Sequence, residues 1–401
     1  MKAVVYKGKG SMSVEDVDDP VITKPTDALL EVTSAAICGS DLHMYEGRTP
    51  AEEGTILGHE IMGTITEVGD AVQELKPGDR VVLPFNISCG LCFNCVRGLT
   101  NACLFMNPDA AGAAYGYAGM GPYRGGQAQK VLIPYADFNA LKLPGEPFDE
   151  HEDDFLMLAD IFPTAWHAAE LAQVEMGASV AIYGVGPVGL LSILSARLKG
   201  ASEIYAIDSV ASRLDKAKEM NAIPINFSDK GRPSEQIRAL RKKNDQLAAA
   251  QRPGEDKLLQ GVTCGIDAIG YQARDFKNPS QEEANEVLED LIEVVNPGGA
   301  LGIIGVFMPE DPGAPTDELR QGEVNMNFGL LWNKGLSIGT GQCPVKRYNH
   351  MLRDLIIEGK AAPGTIVTHH IPIDEAPAMY EQFDNREAGI HKVVIRPNGG
   401  L

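Results

Sequence analysis

The stretch Ser179-Val-Ala-Ile-Tyr-Gly184-Val-Gly186-Pro-Val-Gly189-Leu190 decides the fold. Val180 to Tyr183 is a short apolar run that reads as a buried parallel strand. Leu190 to Ala196 reads as an apolar helix. The spacing between them is G-x-G-x-x-G, and each glycine has a mechanical task. Gly184 makes the tight turn, Gly186 lets backbone approach a pyrophosphate, and Gly189 lets the helix pack closely on the strand. Pro187 and Val188 complete the turn, and the free N–H groups opening the helix suit phosphate. A second strand, 202–207, ends at Asp208, about 20 residues beyond the last glycine, where an acid meets the adenosine ribose hydroxyls. An Asp there repels a 2′-phosphate, so NAD is expected over NADP, and Arg213 joins the expected cofactor set. A glycine-rich turn alone is weak evidence. Strand, turn, helix, strand and acid in that order point to a dinucleotide.

Working outward, residues 163–340 read as the nucleotide-binding domain. Its sheet continues in 264–270, 299–306 and 336–339, which predicts an α/β, doubly wound parallel sheet. The segment 229–260 is rich in Lys, Arg, Gln and Asp. Without interleaved aromatics it reads as solvated helix and loop, not as a nucleic-acid surface. Residues 1–162 read as a β-rich domain, with short strands such as 28–33 and 80–83 between Gly and Pro turns. Residues 341–401 are expected to return to that domain with a helix over 350–357 and an end strand over 391–395. The acidic run Glu146–Asp154 reads as solvated surface. His369 and His370 are adjacent on an extended segment and face opposite ways, so they do not read as a metal pair.

A chain of 401 residues has room for about two domains. Its net charge of −20 argues against nucleic acid or anionic membrane as partners, because both need a basic footprint. The first residues read as a strand, not a signal peptide, and no stretch approaches the ~18 apolar residues of a membrane span. The cytosol is the expected location.

Four of the seven cysteines fall within fifteen residues, which in a cytosolic chain points to metal and not to disulfides. Cys89-Gly-Leu-Cys92-Phe-Asn-Cys95, closed by Cys103, supplies four thiolates for a structural zinc in a lobe near 86–106. An iron–sulfur cluster begins with the same spacing but ends with a shorter gap and Pro. Upstream, Cys38-Gly-Ser-Asp-Leu-His43 and Gly58-His59-Glu60 offer the donors that zinc prefers. Farther on, Asp160 opens the helix that leads into the nucleotide domain; by itself it reads as a cap or as a ligand.

Cys-Gly-Ser-Asp-x-His, Gly-His-Glu, the four-cysteine lobe and the glycine turn, in this order, resemble the zinc-dependent medium-chain dehydrogenases over nearly the whole chain. Asn107-Pro, Ala114-Tyr-Gly-Tyr117, Gly125-Gly-Gln-Ala128, Pro134–Asn139, Asp160–Thr164 and Thr340-Gly-Gln342 resemble a narrower group, the glutathione-independent formaldehyde dehydrogenases. The resemblance implies a GroES-like catalytic domain beside a Rossmann domain. It implies catalytic zinc on Cys38, His59 and Asp160, with Glu60 beside it, and a second zinc on Cys89, Cys92, Cys95 and Cys103. Ser40 and His43 match proton-relay positions, Thr164 a place near the nicotinamide, and Lys392 a basic residue that meets the pyrophosphate. The implied activity is NAD-dependent oxidation of formaldehyde, as its gem-diol, without glutathione, with dismutation as an extension. Another small alcohol or polyol as substrate stays open. A homo-oligomer, dimer or tetramer, is expected by analogy.

Overall fold

The computed structural model describes residues 1–229, 231–244, 255 and 260–400. Within the polar segment 229–260, positions 230, 245–254 and 256–259 therefore lie outside the described residues. The described part includes the helix Pro233–Lys242. The chain divides into two compact units, Met1–Pro163 with Cys343–Leu401, and Thr164–Gln342.

Strands β1 (Lys2–Tyr6), β2 (Met12–Asp16), β3 (Ala28–Ile37), β4 (Glu60–Val68), β5 (Arg80–Leu83), β6 (Lys130–Ile133) and β7 (Leu141–Lys142) precede the division. The second unit holds β8 (Ser179–Tyr183), β9 (Glu203–Asp208), β10 (Ile223–Asn226), β11 (Val262–Asp267), β12 (Val295–Ile303) and β13 (Ser337–Thr340). Back in the first unit come β14 (Val367–Pro372) and β15 (Lys392–Arg396).

In the second unit six strands pair in the order β10-β9-β8-β11-β12-β13, every pair parallel. Counted within the unit this is 3-2-1-4-5-6, the doubly wound order expected from the glycine-turn unit, with the order reversing beside β8. The turn itself needs its glycines. Gly184 has φ +82°, and a Cβ on Gly189 would lie 1.8 Å from the Gly184 carbonyl oxygen. The helix Pro187–Leu198 starts with Pro at its first turn, where a missing N–H costs nothing.

Strand β11 ends at Asp267, which is fully buried. Its Oδ1 accepts the N–H groups of Ile269 and Gly270 at 2.8 and 3.0 Å, while Oδ2 has no hydrogen-bond partner. Burial pushes this carboxyl up to about 6 against the pull of those two donors. A carboxyl raised on folding holds its proton longer than the unfolded chain does. Stability therefore falls as pH rises from about 4 to about 6, by up to about 3 kcal/mol. Asp267→Asn keeps the accepting oxygen and removes the charge. The gap in melting temperature between variant and wild type is expected to grow in favour of the variant from pH 4.5 to pH 7, then stay level. A gap independent of pH would contradict this reading.

In the first unit β14-β15-β3-β4-β5-β7 form a sheet, with β6 also paired to β3. Only β14–β15 is parallel within it. Strand β3 runs four residues past the expected end at 33, to Ile37, because β4 and β15 flank Ser34–Ile37 and satisfy its backbone. The acidic run 146–154 departs from its reading as solvated surface. Glu152 is buried, with Arg80 Nη2 at 2.5 Å, Arg396 Nη1 at 3.1 Å and the hydroxyls of Thr33 and Ser34 on its carboxylate. Two guanidinium groups make burial of that charge tolerable. After β6 comes the short helix Ala136–Asn139.

Candidate active site

Sheet register in the first unit builds the site. Ala36 pairs with Glu60, and Ile37 pairs with Val393. Cys38 at the end of β3, His59 and Glu60 at the start of β4, and Lys392 at the start of β15 are thereby brought to one end of the sheet. Gly58 has φ +100°, and a Cβ there would meet Gln127 at 2.4 Å, so the approach to His59 is open only to glycine. Asp160 comes from the turn after 157–159, which is tied to the sheet by Phe85 N–H donating to the Ala159 carbonyl at 2.8 Å.

Cys38, His59, Glu60 and Asp160 are all buried, and one ligand atom from each lies within 4.8 Å of the others. His59 Nε2 stands 3.3 Å from Asp160 Oδ2, and Cys38 Sγ stands 3.7 Å from the same oxygen. Burial and then the Glu60 charge push the Cys38 thiol up; burial likewise raises Glu60 against the pull of Lys392. Burial opposes a charged His59, yet Asp41, Asp160 and Cys38 hold its pKa well above the usual histidine value. One Glu60 oxygen, Oε2, is buried with no hydrogen-bond partner. A thiol, an imidazole and two carboxylates crowded in a dry space are a donor set that fits a zinc ion.

Asp41 and Gln127, both present in quoted motifs but given no task from sequence, form the supporting layer. Asp41 Oδ1 lies 3.2 Å from His59 Nδ1, while its Oδ2 accepts the Cys38 N–H at 3.0 Å and the Gln127 amide at 3.2 Å. Tyr380 donates to Gln127 Oε1 at 2.8 Å. An Asp three residues after a metal-type Cys, at the start of a helix, was the available signal for this role. Phe85 and Tyr117 meet the His59 ring edge-on, at centroid distances of 6.1 and 6.3 Å.

Ser40 and His43 lie on the helix Gly39–Tyr45, three apart and so on one face. Ser40 Oγ is 3.2 Å from His59 Nε2. Lys392 requires a correction. It was expected at a pyrophosphate, but its ammonium is fully buried, 2.6 Å from Glu60 Oε1 and 3.0 Å from the Ile37 carbonyl. A cation held in that pair balances the charge of Glu60.

Cys89, Cys92, Cys95 and Cys103 also bring their sulfurs within 4.8 Å of one another, and none is in a disulfide. The Cys89–Cys95 and Cys92–Cys103 sulfurs are 4.0 and 3.9 Å apart. Zn–S bonds of ~2.3 Å in a tetrahedron give edges of roughly 3.8 Å, so the four thiolates fit a closed zinc site. The N–H groups of Leu91 and Cys92 point at Cys89 Sγ, and that of Leu104 at Cys92 Sγ.

In the second unit, Asp208 Oδ2 accepts the Val185 N–H of the turn at 2.9 Å, and Oδ1 accepts Ser209 and Val210 N–H. Arg213 Nη1 lies 3.7 Å from Asp208, and its guanidinium is the group nearest the space a Gly186 Cβ would fill. Thr164 is the fourth residue of the helix Ile161–Leu171.

Residues 24–145 match the alcohol dehydrogenase GroES-like domain family. The chain is 40% identical to the glutathione-independent formaldehyde dehydrogenase of Bacillus subtilis, covering 100% of this chain and 98% of that protein. It is 35% identical to a formaldehyde dismutase of Pseudomonas putida over 100% of this chain and 98% of that one. Among solved structures, alcohol dehydrogenase TADH from Thermus sp. ATN1 superposes with a TM-score of 0.79 at 34% identity, covering 99% of both chains.

Proposed function

Because the chain belongs to the zinc-type alcohol and formaldehyde dehydrogenase family, we propose that it oxidises hydrated formaldehyde to formate with NAD and without glutathione. The observation that carries this reading is the buried Cys38–His59–Asp160 donor set with Ser40 Oγ 3.2 Å from the imidazole. Bound zinc supplies Lewis acidity that lowers the pKa of a substrate hydroxyl, and NAD supplies the hydride acceptor.

The chain's own residues do the rest. Cys38, His59 and Asp160 would hold the ion, and Asp41 Oδ1, 3.2 Å from His59 Nδ1, would keep the ring turned so that Nε2 faces it. Lys392 balances the charge of Glu60, so one extra buried carboxylate does not cancel the polarising field. Ser40 would accept the substrate's hydroxyl proton, and His43, one turn along the same helix, would pass it on. The N–H groups at 184–189 would hold the pyrophosphate, and Thr164 would face the nicotinamide. Arg213, near Asp208 and Gly186, would lie beside the adenosine end.

The test is turnover of purified, zinc-loaded protein on formaldehyde and a panel of alcohols, with no glutathione added. Formate and NADH in equal amounts are expected. Equal methanol and formate without net NADH would mark dismutation, the extension favoured by the relative in Pseudomonas putida. Inactivity on formaldehyde with strong activity on a larger alcohol or polyol would overturn the proposal.

Asp208 sets the cofactor. A second negative charge beside it costs several kcal/mol, so Asp208→Ser is expected to lower the NAD-over-NADP ratio of kcat/KM by at least ~10²-fold. The same change releases the Val185 N–H, so KM for NAD should rise as well. An unchanged ratio would place the ribose elsewhere.

A further inference from the structure

Thr49 and Tyr117 bring two hydroxyls to the wall beside His59, and neither holds metal or moves a proton in the proposed mechanism. Tyr117 is half-buried, and its ring meets the His59 ring edge-on at 6.3 Å. Thr49 is 2% exposed. Both are tied to the helix Gly39–Tyr45 that carries Ser40 and His43. The Thr49 N–H donates to the His43 carbonyl at 3.0 Å, and the Ala118 N–H, next to Tyr117, donates to Met44 Sδ at 3.4 Å. One scaffold therefore places the two hydroxyls and the two relay groups. Thr49 Oγ1 is buried with no partner at hydrogen-bond distance among the described residues, yet it stands close enough to pull on the Tyr117 hydroxyl. An unpaired buried hydroxyl costs free energy, and beside a reacting centre it points to a ligand that completes it. Burial raises the pKa of Tyr117 against the pull of Thr49 and His59, so at neutral pH the phenol keeps its proton and can donate.

The proposed substrate, hydrated formaldehyde, carries two hydroxyls on one carbon, where a simple alcohol carries one. In its oxidation a carbon–hydrogen bond breaks and the hydride passes to NAD. One hydroxyl gives its proton to Ser40, and the other keeps its bond to carbon and leaves as the hydroxyl of formic acid. That second hydroxyl lies one carbon from the first, inside the dry space around His59, and it needs a partner there. Phe85, the other ring against His59, has no polar atom to offer. A site that pairs a hydroxyl rejects the analogue lacking it, because its own polar groups are then left unpaired. We propose that Thr49 and Tyr117 bind the second hydroxyl of a hydrated aldehyde and so favour gem-diols over alcohols, an inference that rests on the function proposed above.

Thr49→Val and Tyr117→Phe each remove a hydroxyl and keep the shape of the side chain. In full-length, zinc-loaded protein the double variant is expected to lower the formaldehyde-over-ethanol ratio of kcat/KM by ~10–10²-fold. Thr49→Ser, which keeps a hydroxyl, should hold that ratio within about threefold of wild type. Calorimetry without nucleotide supplies the second readout. Wild type should bind trifluoroacetaldehyde hydrate more tightly than trifluoroethanol, which lacks only the second hydroxyl, and the double variant should lose that preference. If the double variant loses zinc, Tyr117→Phe alone decides by the same two readouts. A ratio unchanged in the zinc-replete variant, or rates on both substrates that fall together, would overturn the proposal. A wild type that fails to oxidise formaldehyde would sink the proposed function instead, and the trifluoro pair would still decide the role of the two hydroxyls.

Discussion

Alanine at Cys38 is expected to abolish turnover, with kcat/KM falling by at least ~10³-fold and bound zinc dropping from two ions per chain to one. The thiolate is one of the three proposed donors, and His59 with Asp160 alone would leave an ion that solvent strips away. Several kcal/mol of charge stabilisation vanish with it, and each ~1.4 kcal/mol is tenfold in rate. Folding should survive, because the lost side chain is small and sits at the end of β3. Metal analysis by mass spectrometry, paired with steady-state rates, checks both halves. Two zinc ions retained with activity within tenfold of wild type would mean that the reacting site is elsewhere.

The second large effect falls on stability. Cys103→Ser removes one of four sulfurs from the closed cluster, which lies in the same hydrophobic core as Ala28, Leu30, Ile61 and Val81. Structural zinc contributes ~10–16 kcal/mol of apparent binding energy in isolated zinc modules. If about 5 kcal/mol of it is expressed here, a unit of this size should melt ~10–20 °C lower. The same fall should follow chelation of wild type by a strong zinc ligand, and the two treatments should not add. A melting temperature within ~3 °C of wild type, with the lobe metal gone, would show that the loop needs no cross-link.

What could be read from the sequence was local. The glycine turn, the acid at 208 and the four cysteines carry their meaning in spacing, because each motif folds within a few dozen residues. Relations between distant strands were not readable. The last residues of β3, Ser34–Ile37, have modest strand propensity and become strand only because β4 and β15 flank them. Lys392 sits in a plain apolar strand pattern, and nothing in that pattern reveals that its ammonium meets Glu60, 332 residues earlier. The acidic run at 146–154 departs from the charge rule at Glu152, and again at Asp149, Asp153 and Asp154, because partners such as Arg80, Gly364 and Arg396 lie far away in the chain. Asp41 and Gln127 were in view as letters, but their task depends on an imidazole from another strand.

The pairing of Lys392 with Glu60 also sets an order of events during synthesis. Cys38, His59 and Asp160 precede Lys392 by more than 230 residues, so the strand that neutralises their neighbour Glu60 and closes that end of the sheet is made after all three. A chain lacking β15 would leave those acids and the thiol with one wall of that end of the sheet missing. A site completed by β15 would therefore take its metal after that strand docks, with Lys392 setting the charge an incoming ion meets.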